Sequence, residues 1–224
     1  MATPESTCWT VIRAAAAGGA AERDAFARRY EPVVRAYLAS RWRGSPHLRD
    51  LDDAVQEVFV ECFKPAGALD RADLGRDFRP FLYGVVRHVA LRVERQRARR
   101  PEQAANGRAF DDVPDPEESL SRIFDRAWAR ALLREAAQLM EAKARSAGEA
   151  AQRRVELLRL RFHDGLPIRQ IADRWNADPA VLHHQYAQAR QEFKAALVEV
   201  VAFHHPASAA AVEQECVGLL SLLG

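Results

Sequence analysis

The residues best suited to chemistry lie between Phe78 and Arg100, in FRPFLYGVVRHVALRVERQRARR. His88, Arg92, Arg95 and Arg99 follow one another at steps of four, three and four, so on a helix turning about 100° per residue they share one stripe. Arginine dominates from Arg79 to Arg100, where Glu94 is the only acid. Guanidinium groups in a row can neutralise phosphates, an attraction that is independent of base sequence and sensitive to salt. A second set stands after Pro179: Ala180, His183, His184, Ala187 and Arg190 fall on the outward side of a helix of the right shape for a DNA major groove.

Catalytic and metal chemistry have no comparable support. The chain has no phosphate loop, no HExxH, no GxSxG and no nucleophile assembled with a base. His183 with His184, and His204 with His205, are adjacent pairs whose side chains point about 100° apart on a helix, with no spaced Cys or carboxylate to complete a ligand set. Neither an enzyme nor a cofactor is expected. Cys8, Cys62 and Cys216 are odd in number, far apart and without a CxxC partner, so neither a disulfide framework nor a thiolate zinc site is indicated, and a reducing cytoplasm is the simplest reading. No apolar run approaches the roughly 20 residues that span a bilayer, so membrane insertion is not expected.

The elements that must position these residues are helical. Nearly half of the 224 residues are hydrophobic, alanine, leucine and arginine are abundant, and apolar residues recur at steps of three and four with no alternating segments. Leu51, Ala54, Val55, Val58, Phe59, Cys62 and Phe63 form one apolar stripe on a helix for which Asp50 is the capping candidate. Its opposite face carries Asp53, Gln56, Glu57 and Val60. In the next helix Phe81, Leu82, Val85, Val86, Val89 and Val93 make the apolar face that turns the basic stripe outward.

From Pro101 to about Glu118, prolines and acids without a helical period read as a linker. A long helical region then runs from Leu120 to a stop at Gly165. Pro167 opens a helix with Ile168, Ile171, Ala172 and Trp175 inward, and Asn176 can take a left-handed turn. Asp178 and Pro179 form a cap and first-turn pair for a second helix with Leu182, Tyr186, Ala189, Phe193 and Leu197 inward. After Pro206, Ala209, Val212, Cys216, Leu219, Leu220 and Leu223 share one helical stripe that something should cover.

Several of these motifs, in order, resemble the extracytoplasmic-function sigma factors of the sigma-70 family. DDAVQEVFVECF (52–63) is similar to that family's polymerase-binding helix, Phe78 to Arg100 to its minus-ten helix, and GLPIRQIADRWNADPAVLHHQYAQARQEF (165–193) to its minus-thirty-five helix-turn-helix. The Trp9 segment, the run ALDRADLGRDFRPFL and the tail resemble a subgroup abundant in planctomycete-like bacteria. The resemblance implies an all-α chain: a region 2 domain over 1–100, an acidic linker over 101–119, a region 4 domain over 120–203 and a C-terminal helical extension over 204–224.

It also implies roles. Asp53, Gln56, Glu57 and Val60 would meet the clamp helices of the largest subunit of core RNA polymerase. Arg87, His88, Arg92, Arg95 and Arg99 would hold the minus-ten element, with an unstacked base near His88 and the loop before Phe78. The family usually has asparagine at the place of His88. Ala180, His183, His184 and Ala187 would face base edges of the minus-thirty-five element, with Arg190 and Lys194 on phosphates; His183, Gln185 and Gln188 stand where relatives commonly carry lysine or arginine, so a weaker grip follows. Expected partners are core polymerase, promoter DNA and an anti-sigma factor or other regulator. The C-terminal helix is either a docking element for such a regulator or a plain core helix. A conventional helix-turn-helix regulator and an interaction-only adaptor remain alternative readings.

Overall fold

A computed structural model describes residues 8–17, 19–64, 78–98, 116–205 and 207–223. Among them every regular element is a helix: α1 (Cys8–Ala16), α2 (Ala20–Arg41), a 3-10 helix (Pro46–Asp50), α3 (Leu51–Phe63), α4 (Phe78–Ala98), α5 (Pro116–Ala147), α6 (Glu149–Phe162), α7 (Ile168–Trp175), α8 (Pro179–His204) and α9 (Ala209–Ser221). The all-α expectation holds. Among the described residues no single helix is long and apolar enough to cross a membrane. The expected linker over 101–119 lies largely outside the described residues.

The chain divides into two compact units. The first comprises 1–131, 203–207 and 217–224, and the second 132–202 and 208–216. In the first unit α2 packs on α1, α3 and α4, and α3 packs on α4. The stripe read on α3 goes inward, with Ala54, Val55, Val58 and Cys62 buried, and so does that of α4, with Leu82, Val85, Val86 and Val89 buried. Phe26 and Tyr30 of α2 meet ring to ring at 4.7 Å, Tyr30 meets Phe78 at 4.9 Å, and Trp128 of α5 stacks on Tyr30 at 5.7 Å. Aromatic pairs at such spacings add about 1 kcal/mol each beyond the area they bury. His204 is buried in the same unit and shares a hydrogen bond with Tyr30 Oη at 3.2 Å.

Asp50 does not cap α3 as its position suggested. Its side chain makes no capping bond and is instead ion-paired with Arg97. The 3-10 helix leads directly into α3 and supplies the first turn that a cap would otherwise satisfy, while Ser45 accepts a hydrogen bond from the His47 amide.

In the second unit Leu157, Leu160, Ile168, Ile171, Ala172 and Leu182 form the core around α6, α7 and α8. The long helical region expected up to Gly165 consists of two helices, α5 and α6, that meet at Gly148 with φ of 98°. A side chain at that φ would clash with its own backbone, so glycine marks the break. The helical stop near Gly165 is where it was expected, with φ of 70° two residues after His163 leaves α6. In α9 Val212, Cys216 and Leu219 are buried, whereas Leu220 is 51% exposed and Ala209 is exposed, so the covered sector is narrower than the six-residue stripe.

Candidate nucleic-acid interface

The α3–α4 pair carries the first set of candidate residues. On α3, Asp53 and Gln56 are exposed, Val60 is 62% exposed and Glu57 is half-buried. On α4, Arg87, His88 and Arg95 are exposed. Arg99 and the loop before Phe78 lie outside the described residues.

Arg92 is placed differently from His88 and Arg95. Its Nη2 is 2.9 Å from Glu57 Oε1 and its Nη1 donates to Glu61 Oε2 at 3.1 Å, while its Nε is buried without a hydrogen-bond partner. Seven residues after Val85, Arg92 stands only about 20° from it on the helix, at the margin of the apolar face, which brings the guanidinium to α3. That seven-residue offset was the signal available in the sequence. The structure thus joins a residue assigned to the polymerase, Glu57, to one assigned to DNA, Arg92.

Glu61 was not singled out beforehand. It is 7% exposed and accepts a hydrogen bond from Lys64 Nζ at 2.7 Å as well as the one from Arg92. The bond from Lys64, supported by the one from Arg92, holds the Glu61 carboxyl below its ordinary value against the opposing effect of desolvation. The neighbouring Cys62 thiol is pushed up to about 12 by burial and by the charge of Glu61.

Glu94, the lone acid among the arginines, is also an internal anchor. Arg41 Nε and Nη2 donate to its two oxygens at 2.7 and 3.1 Å, and the Trp42 indole donates at 2.8 Å. Burial pushes its carboxyl up, but the bonds from Arg41 and Trp42 prevail and hold it below the usual range, and the same pairing raises the Arg41 guanidinium. With Arg97 paired to Asp50, three charged side chains of α4 tie that helix to α2, to α3 and to the 3-10 helix. Part of the basic character of this segment therefore serves the fold, and His88 and Arg95 are left facing water.

In the second unit Asn176 takes the left-handed conformation (φ 47°, ψ 51°), and the Ala177 amide donates to Ala172 O at 3.0 Å, closing α7. Asp178 Oδ1 accepts from the Ala180 amide at 2.8 Å, capping α8. This short connection turns Ala180, His183, His184 and Ala187 outward, and all four are exposed, as are Gln188, Arg190 and Lys194. Arg190 lies over the Tyr186 ring at 5.9 Å. Lys194 has Glu213 at 3.7 Å, a largely exposed pair worth little energetically. Gln185 is half-buried with its Oε1 inside and unbonded, so it is not an outward-facing substitute for a basic residue.

Residues 26–100 match the Sigma-70 region 2 family. The matched stretch contains α3, α4 and most of α2, the helices that carry the Glu57–Arg92 and Arg41–Glu94 links. No curated protein matches the chain. An all-helical unit with a sigma-70 region 2 match supports a sigma-70 family sigma factor, with a role in promoter recognition and RNA polymerase binding.

Proposed function

We propose that this chain is an extracytoplasmic-function sigma factor, of the subgroup abundant in planctomycete-like bacteria, acting in the cytoplasm as a non-enzymatic subunit that brings core polymerase to promoters and opens them. Asp53, Gln56, Glu57 and Val60 bind the clamp helices of the largest polymerase subunit. Arg87, His88, Arg95 and Arg99 grip the minus-ten element, and Arg92 joins them only when its links to α3 allow. The outward residues of α8 lie in the major groove of the minus-thirty-five element, which makes α7 and α8 a DNA-binding helix-turn-helix. An anti-sigma factor or other regulator is a further partner.

The observation that carries this reading is the exposed Val60 among the acids of α3, within the region 2 match. A branched apolar side chain left 62% in water beside carboxylates suits a partner surface that is basic and partly apolar. Binding of core polymerase to the purified chain, compared with Val60→Glu, tests it: about tenfold or greater weakening in the variant is expected for a central interface position, and equal binding would refute the assignment. An interaction-only adaptor draws support from one fact, that Arg92 and Lys194 both have acidic neighbours. Such an adaptor would bind polymerase and yet direct no initiation.

A further inference from the structure

Arg92, a candidate DNA contact, is ion-paired with Glu57 of the candidate polymerase face, and its surroundings are unevenly built. One anchor, Glu61, is buried and is held in turn by Lys64. The other, Glu57, is half-buried on the α3 face that carries Asp53, Gln56 and Val60. The guanidinium Nε is buried with no partner, so the group is not fully satisfied where it sits.

We infer that Glu57 and Arg92 form a coupling switch: a cationic partner group that engages Glu57 removes one of the two carboxylates holding Arg92, whose Nη2 then becomes available to a DNA phosphate. The inference rests on the functional reading above and deepens it, since it makes the DNA grip of α4 depend on occupancy of α3. The chemistry is an exchange of charge-assisted hydrogen bonds. Glu57 trades the Arg92 guanidinium for a lysine or arginine of the polymerase, and Arg92 trades Glu57 for a phosphate oxygen while Glu61 continues to orient it. No group titrates and no bond is made or broken covalently. Without polymerase, the cation is masked by two carboxylates, which suppresses unproductive binding to nucleic acid.

The test uses the full chain, without polymerase, and a short fluorescein-labelled single-stranded oligothymidylate read by anisotropy across a salt series. Glu57→Gln mimics loss of the anchor. Asp53→Asn, one turn away on the same face, removes the same charge without touching Arg92. Glu57→Gln is expected to bind roughly fivefold more tightly than Asp53→Asn, with a salt slope steeper by about 0.7, the value for one added single-strand phosphate contact. In an Arg92→Gln background the two substitutions should become equivalent. Equal effects of Glu57→Gln and Asp53→Asn in the parent chain overturn the switch while leaving the DNA-binding assignment of α4 intact, and this comparison decides even if Arg92→Gln does not fold. No binding by any variant overturns both.

Discussion

Arg41 grips Glu94 through two hydrogen bonds, of 2.7 and 3.1 Å, across the packing of α2 on α4. The pair is mostly buried, with side-chain exposures of 14% and 27%. Removing one partner of such a pair leaves the other desolvated and alone, which costs more than the pair itself contributes. Glu94→Ala should lower the stability of the first unit by about 2 kcal/mol. Lys143→Ala, which breaks the exposed pair with Glu199, should cost under about 0.5 kcal/mol. Urea unfolding curves of the two variants give the comparison directly.

Acid should loosen the first unit through Glu61 and Glu94. Both carboxyls are held below their ordinary values, so the folded chain binds their protons less readily than the unfolded chain does. Their contribution is complete above the unfolded value of about 4.3 and is lost as pH falls through the depressed folded values. The Glu61→Gln, Glu94→Gln double variant should therefore be less stable than the parent at pH 7 and should lose less further stability between pH 5 and pH 3. A pH series of urea midpoints measures both.

Cys62 should be inert in the folded chain. With its thiol pushed up to about 12 by burial, Cys62 stays protonated at pH 8, and the residue is only 1% exposed. In a variant that keeps Cys62 as its single cysteine, a disulfide reagent is expected to react fully in guanidinium and only at the rate of unfolding in buffer. Rapid reaction of the folded protein would show that the α3 stripe is not closed.

The α7–α8 connection depends on two residues. Asn176→Gly should be tolerated, because glycine accepts the left-handed conformation, whereas Asn176→Val should cost about 1–2 kcal/mol. Asp178→Ala should cost about 1 kcal/mol through loss of the α8 cap. Hydrogen exchange of the α7 and α8 amides reads these losses locally.

These positions were legible in advance because turn chemistry is local: Asn176, Asp178 and Pro179 specify their own backbone. The apolar stripes of α3 and α4 were legible for a similar reason, since burial follows helical period. What escaped was set by neighbours distant in sequence. Glu61 and Glu94 look like surface acids until Arg92, and Arg41 with Trp42, are brought beside them, and Asp50 reads as a cap until Arg97 pairs with it. For the same reason Arg92 reads as one of four equivalent basic residues in the sequence and as the partner of two acids in the fold.

The most direct test of the central claim is run-off transcription with core RNA polymerase and a library of promoter fragments, comparing the parent chain with a His88→Ala, Arg95→Ala variant. That variant removes outward-facing side chains of α4 and leaves the Arg92 links alone. Initiation directed by the parent, reduced at least about tenfold in the variant as expected for loss of contacts to DNA, with polymerase binding retained, is the predicted result. Polymerase binding without initiation from any fragment by the parent chain, or initiation unchanged in the variant, would contradict it.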